Sequence, residues 1–221
     1  TLTPVLTANA AVPIYTMTVK EPVWTTEKAL GQDINGGGLS EDPLLKVEGT
    51  LGGVTTLTPS AFTFIESATT YVAVSGNNFT VYAFYNDIVA TTTVDGVYAL
   101  NYSDGTASAS ADIPIRLFKV TTKAAVPGEV TSGQEVTITG TAAQLEATSA
   151  FTATNYSVFV WRDDGSTPTI ATSATINGTA STGTFNLTFN AYGDVGTEYY
   201  VTVQPSASTT YNGAPYFTIT V

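Results

Sequence analysis

Val130-Thr131-Ser132-Gly133-Gln134-Glu135-Val136-Thr137-Ile138-Thr139-Gly140 and, further along, Ser157-Val158-Phe159-Val160-Trp161 decide the fold class of this chain. The first is a polar turn running into alternation of apolar and hydroxyl side chains, the period-two pattern of a strand with one buried face. The second is a short β-branched and aromatic run suited to a strand inside a core. The same character extends over 71–74, 79–85, 96–102, 113–120, 184–189, 198–203 and 216–221. Turn signals stand between these runs: Gly76-Asn77-Asn78, Asp95-Gly96, Asp104-Gly105, Asp164-Gly165, Asn177-Gly178 and Asn212-Gly213. Asp and Asn before Gly tolerate the positive φ of tight hairpins, and turns about every 8–12 residues are typical of sandwiches. An all-β fold follows. The one stretch with helical character, 143–150, is weakened by Thr and Ser and reads equally as a loop.

From about Pro127 the pattern resembles one complete immunoglobulin-like sandwich, without the cysteine pair of antibody domains, so the resemblance is architectural. A second strand set, about 46–122, has its own aromatic core candidates in Phe62, Phe64, Tyr71, Tyr82, Phe84 and Tyr98. The expected organisation is an N-terminal strand and tail over 1–28, a β-sandwich region over 29–122 and an immunoglobulin-like β-sandwich over 123–221, with a soft boundary at Thr122 to Pro127. In the first segment, Val12-Pro13-Ile14-Tyr15-Thr16-Met17-Thr18-Val19 has strong strand propensity, and the later Asp33-Ile34-Asn35-Gly36-Gly37-Gly38 marks a long loop.

Composition narrows the function. The 221 residues hold no histidine and no cysteine, whereas 42 threonines and 15 serines coat the chain with hydroxyls. Imidazole and thiolate chemistry, disulfides and thiolate metal sites are thereby excluded, and no enzyme is expected. Charged residues are 11%, against roughly 25% in an average soluble protein. The formal net charge of −11 and the scattering of the seven basic residues disfavour a nucleic-acid partner. No stretch of about 18 apolar residues is present, so no membrane-spanning helix is expected. The opening Thr1-Leu2-Thr3-Pro4 fits a mature form after signal removal. With few groups whose protonation differs between folded and unfolded states, the chain is expected to tolerate acid.

Five Asn-x-Ser/Thr sequons, at Asn78, Asn101, Asn155, Asn177 and Asn186, exceed the roughly three expected from composition and predict N-linked glycans as the only added groups. The opening strand has two readings. It pairs within its own domain, or it leaves its subunit and fills a groove in a neighbour, satisfying edge hydrogen bonds and supplying core side chains. Tyr15, Met17 and Val19 would share one face, with Val12 and Ile14 on the other. Asp33, Asn35, Glu41 and Asp42, and separately Asp163-Asp164, carry oxygen ligands but lack the spacing of a calcium loop, and no metal is expected. Asp104-Gly105-Thr106 and Asp164-Gly165-Ser166 reverse the aspartic-protease order and read as turns. Lys46, Lys119 and Lys123 lie in or beside apolar strands, where a Lys meets either solvent or an isopeptide partner.

A cysteine-free, Thr-rich sandwich with several sequons and a detachable N-terminal strand resembles extracellular pilus-like subunits, and is most similar to the glycosylated thread filament subunits of thermoacidophilic archaea. That resemblance spans the full length and implies head-to-tail homopolymers on the cell surface, joined by donor strand complementation as in bacterial type 1 pili, with roles in adhesion. It implies a donor strand in the early chain, with Leu2, Val5, Leu6, Val12, Ile14, Tyr15, Met17 and Val19 as its apolar residues. Pro4 and Pro13, which cannot donate backbone hydrogen bonds, limit its continuous pairing. Type IV pilins are a poor match, because Pro4, Pro13 and Pro22 interrupt the long N-terminal helix they need. Alternatives are a surface-layer lattice protein and a carbohydrate-binding adhesin module using exposed Trp24 or Trp161.

Overall fold

The computed structural model describes residues 13–25, 44–65, 70–85, 88, 95–145, 156–179 and 182–221, and arranges its strands in four sheets with antiparallel pairing. In the first sandwich, β1 (Thr16–Val19) and β2 (Val23–Thr25) both pair with β3 (Leu44–Gly52). The facing sheet is built from β4 (Phe62–Phe64), which follows a 3₁₀ turn at Pro59–Ala61. The first sheet continues beyond β3 through β6 (Asn78–Phe84) to the edge strand β5 (Thr70–Ser75). In the facing sheet β4 pairs with β7 (Gly96–Ser103), and β7 with β8 (Ser108–Ile115). Phe62 meets Phe79 between the two sheets, with ring centroids 4.8 Å apart.

In the second sandwich β9 (Phe118–Thr122) pairs with β10 (Gln134–Gln144), and a separate sheet begins with β11 (Tyr156–Asp163) paired to β12 (Thr169–Thr175). The first of these sheets runs on to include β13 (Asn177–Thr179) and β14 (Thr182–Ala191), in the order β13-β14-β10-β9. The other adds β15 (Glu198–Pro205) and β16 (Phe217–Thr220), in the order β12-β11-β15-β16. Alternation dictates β14: Phe185, Leu187 and Phe189 are buried while Thr184, Asn186 and Thr188 face outward. β11 breaks the rule, because Ser157 through Trp161 are buried on both faces. Val158 and Val160 join the main core, and the opposite face is roofed by the segment after β15. There Tyr211 packs on Trp161, Ser206 meets Ser157, and Gln204 Nε2 donates to Thr210 O at 2.9 Å.

The apolar run 113–120 is two strands in different sheets. The change falls at Arg116 and Leu117, ahead of the expected boundary near Thr122, because β9 bonds to β10. The joint between the sandwiches is buried and held by several hydrogen bonds. Leu117 is 0% exposed; its N–H donates to Asp95 Oδ1 at 2.6 Å and its carbonyl accepts from Leu145 N and Tyr85 OH. Phe118 N donates to the Tyr216 hydroxyl, and Trp24 Nε1 to Arg116 O, both at 2.9 Å. Phe118 stacks edge-on with Tyr156 at 4.9 Å, and one cluster of buried apolar residues runs through both sandwiches. Asp95-Gly96, expected as a turn, is buried here, with Gly96 opening β7. Of the candidate helix 143–150, Ala143 and Gln144 end β10, and 146–150 lie outside the described residues, as does the loop at 33–38.

Candidate functional site

The strand expected to drive assembly is β1, an edge strand. It pairs antiparallel with β3 of the same chain, in the register Thr16↔Gly52 to Val19↔Gly49. Lys20 N extends the ladder to Glu48 O at 2.8 Å. Tyr15, Met17 and Val19 pack on the core, while Ile14 points away and is 82% exposed. Leu2, Val5, Leu6 and Val12 lie outside the described residues. The inward side of β1 lies beside β8 of the facing sheet. Tyr15 meets Tyr102 with centroids 6.0 Å apart and donates its hydroxyl to Asp104 Oδ2 at 2.8 Å. That bond raises the Tyr15 pKa. The Asp104 carboxyl is held below its usual range first by the Thr106 N–H and then by Tyr15.

Two glycines shape this slot. A side chain on Gly49 would run into the Phe79 ring and the Thr18 carbonyl, and Gly53, at φ 87°, turns the chain where a Cβ would strike Ile14 O. On the outer face, Lys20 and Lys46 each approach Glu48 at 3.3 Å. Their hydrogen bonds, Lys20 first, lower the Glu48 pKa. Pro22, with no N–H to give, separates β1 from β2. β2 is anchored by Trp24, which packs on Tyr85 at 5.5 Å.

Four of the five sequon asparagines are described, and all four are exposed. Asn78 starts β6 beside the hairpin and gives Nδ2 to Ser75 O at 3.3 Å. Asn101 faces outward from β7 and Asn186 from β14, each with its sequon hydroxyl residue, Ser103 or Thr188, exposed on the same face. Asn177 opens β13, and Asn155 lies outside the described residues. Exposure leaves these amides open to a transferase; it does not select among them.

Several other candidates resolve into structural roles. Trp161 was a candidate exposed platform for sugars, but it is 0% exposed under the 205–216 segment, with Nε1 donating to Thr202 Oγ1 at 2.8 Å. Trp24 spends its Nε1 on the joint between the sandwiches. Trp161 therefore offers no face to a ligand, and Trp24 is partly buried. Asp163 and Asp164 cap their own turn, accepting from Gly165 N and Ser166 Oγ at 2.9 Å each. Among the described residues no group of three or more Asp or Glu converges as a metal site; Asp33, Asn35, Glu41 and Asp42 lie outside them. Lys46 pairs with Glu48, and Lys119 and Lys123 are exposed.

Two features escaped the sequence. Asp95, 2% exposed, has its pKa pushed up to about 7 by burial, partly opposed by the Leu117 N–H, the Tyr216 hydroxyl and Arg116. Its Oδ2 has no hydrogen-bond partner. Tyr199, at the start of β15, folds its hydroxyl back onto Tyr192, donating to the carbonyl at 2.7 Å and accepting from the N–H at 2.9 Å. Gly196-Thr197-Glu198-Tyr199 was the available signal for that corner. No protein-family model matches the chain, and no curated protein matches it significantly.

Proposed function

We propose that the chain is the structural subunit of an extracellular, glycosylated filament that polymerises head to tail, each copy passing its N-terminal strand into the slot beside β3 of the next. The observation that carries this is the placement of β1. It is an edge strand next to the N-terminus that puts three apolar side chains into a core shared with β3 and β8. Lys20 ends the β1 ladder and Glu21 pairs with Arg116 at 3.4 Å, so an exchanging strand would turn at Pro22, with β2 keeping its own anchorage through Trp24. The slot needs no invention, because the same contacts serve whether the strand comes from within or from a neighbour, which is the low-cost route to exchange.

The strand orders support the immunoglobulin-like reading. With β1 as strand A, the first sandwich runs ABED against CFG, and the second runs DEBA against C′CFG. The Tyr199 corner and buried Trp161 are further features of that architecture. Both sandwiches have strands in every position of that scheme, so exchange here means passing strand A rather than filling a missing strand. The burial of Trp161 and the engagement of the partly buried Trp24 with Tyr85 and Arg116 O weigh against the adhesin-module alternative; a surface-layer lattice would give two-dimensional order instead of threads.

The test is a chain lacking residues 1–20 mixed with a peptide of residues 1–20. The expected result is an unstable, non-polymerising truncated chain that the peptide restores to a stable monomer. Polymers that form without residues 1–20, or a stable truncated monomer indifferent to the peptide, would defeat strand exchange.

A further inference from the structure

The outer face of the β1-β3-β6-β5 sheet carries an open depression of about 310 Å³, whose polar lining residues are Thr18, Lys20, Glu48, Thr50, Asn78 and Thr80. Register explains why these groups converge. Thr18 lies opposite Thr50, Thr50 opposite Asn78, and Asn78 opposite Ser75, so one row crosses all four strands. The next row holds Lys20, Glu48 and Thr80. At the strand spacing of sheets, Asn78 stands about 10 Å from Thr18, two strands away. Hydroxyl, amide and charged side chains surround the depression, and Val19, Gly49 and Phe79 also contribute to its lining. It offers donors and acceptors of the kind that sugar hydroxyls bind.

We propose that an N-glycan on Asn78 seats its first sugars in this depression and lies across β1, fastening the assembly strand from outside; this rests on the filament reading above. The covalent step joins Asn78 Nδ2 to the anomeric carbon of an oligosaccharide carried on a polyprenyl phosphate. The anomeric C–O bond to phosphate breaks, the phosphate leaves with the bonding pair, and one amide proton is lost. Nδ2 keeps its second N–H, which suffices for the bond to Ser75 O. The sugar then faces Thr50 on β3 and Thr18 and Lys20 at β1, the residues that would belong to the incoming subunit in a filament. Asn101 lies on the other sheet, and Asn177 and Asn186 on the second sandwich, so none of them reaches β1.

The experiment uses the full chain from its native source. Glycopeptide mass spectrometry reads occupancy at Asn78, and hydrogen exchange reads the amides of Thr16 to Val19 before and after enzymatic removal of glycans. Asn78 should be occupied, and removal should speed β1 exchange about tenfold, the effect of one or two net hydrogen bonds. Asn78→Gln and Thr80→Ala should reproduce the increase, Thr80→Ser should restore protection, and Asn101→Gln should leave β1 unchanged. An unmodified Asn78, or β1 exchange indifferent to the glycan, overturns the seat. Filament formation is scored separately by electron microscopy: filaments with unchanged β1 exchange overturn the seat alone, whereas loss of the filament reading shows as the absence of polymers.

Discussion

Replacing Asp95 by Asn should make this protein more stable at pH 8 and leave it unchanged at pH 4. Asp95 is buried at the joint of the sandwiches and its carboxyl pKa is pushed up to about 7 from 3.8, chiefly by desolvation. An acid whose folded pKa lies above its unfolded one binds its proton more tightly in the folded state. Its contribution is therefore fully present below about pH 3.8 and is lost as pH rises through about 7. A gap of about 3 units corresponds to about 4 kcal/mol. Asn reproduces the protonated shape and still accepts from Leu117 N, so it removes the titration without removing the bond. The carboxylates with lowered pKa, Glu48, Asp104 and Asp164, work in the opposite sense, losing their contribution as pH falls through their lowered values. They are solvated and weigh little. Thermal unfolding from pH 4 to 8 is the assay. At about 2–4 °C per kcal/mol for a chain of this size, the native protein should melt about 10 °C lower at pH 8 than at pH 4, and Asp95→Asn should lack most of that drop. Parallel pH profiles for the two proteins would refute the argument.

Tyr199→Phe removes both hydroxyl bonds to Tyr192 and should cost about 1–3 kcal/mol, read as a lower urea midpoint with an unchanged slope. Gly49→Ala drives a methyl toward Phe79 and the Thr18 carbonyl and should destabilise by about 1–3 kcal/mol. Hydrogen exchange should show that loss first in β1, with β11 amides still protected; uniform loosening would contradict the local cause.

Much of the fold could be read from residues with one buried face. Alternation in 135–140 and 184–189 marked β10 and β14, and the odd-even split of Tyr15, Met17 and Val19 from Ile14 holds in β1. Sequence failed where distant chain supplies a second cover. Trp161 looked available because nothing local announces that the 205–216 segment will roof it. The run 113–120 looked continuous because a change of sheet at Arg116 leaves the apolar character of both strands intact. Asp95-Gly96 had the letters of a turn, and only the packing of Leu117 and Tyr216 around it makes a buried acid. β1 shows the same division: its faces follow from local order, whereas under the proposed exchange the chain that supplies the facing β3 would be set by assembly.

That ownership is directly measurable, because a chain with no cysteine provides a silent background for cross-linking. Thr18 and Thr50 face each other across the β1–β3 ladder, at the separation of a cross-strand pair. Filaments grown from a Thr18→Cys/Thr50→Cys chain, oxidised and run under denaturing, non-reducing conditions, should give a ladder of covalent multimers that collapses to monomer on reduction. Oxidised filaments that yield only internally bridged monomers would show that each subunit keeps its own β1 and would contradict assembly by strand exchange.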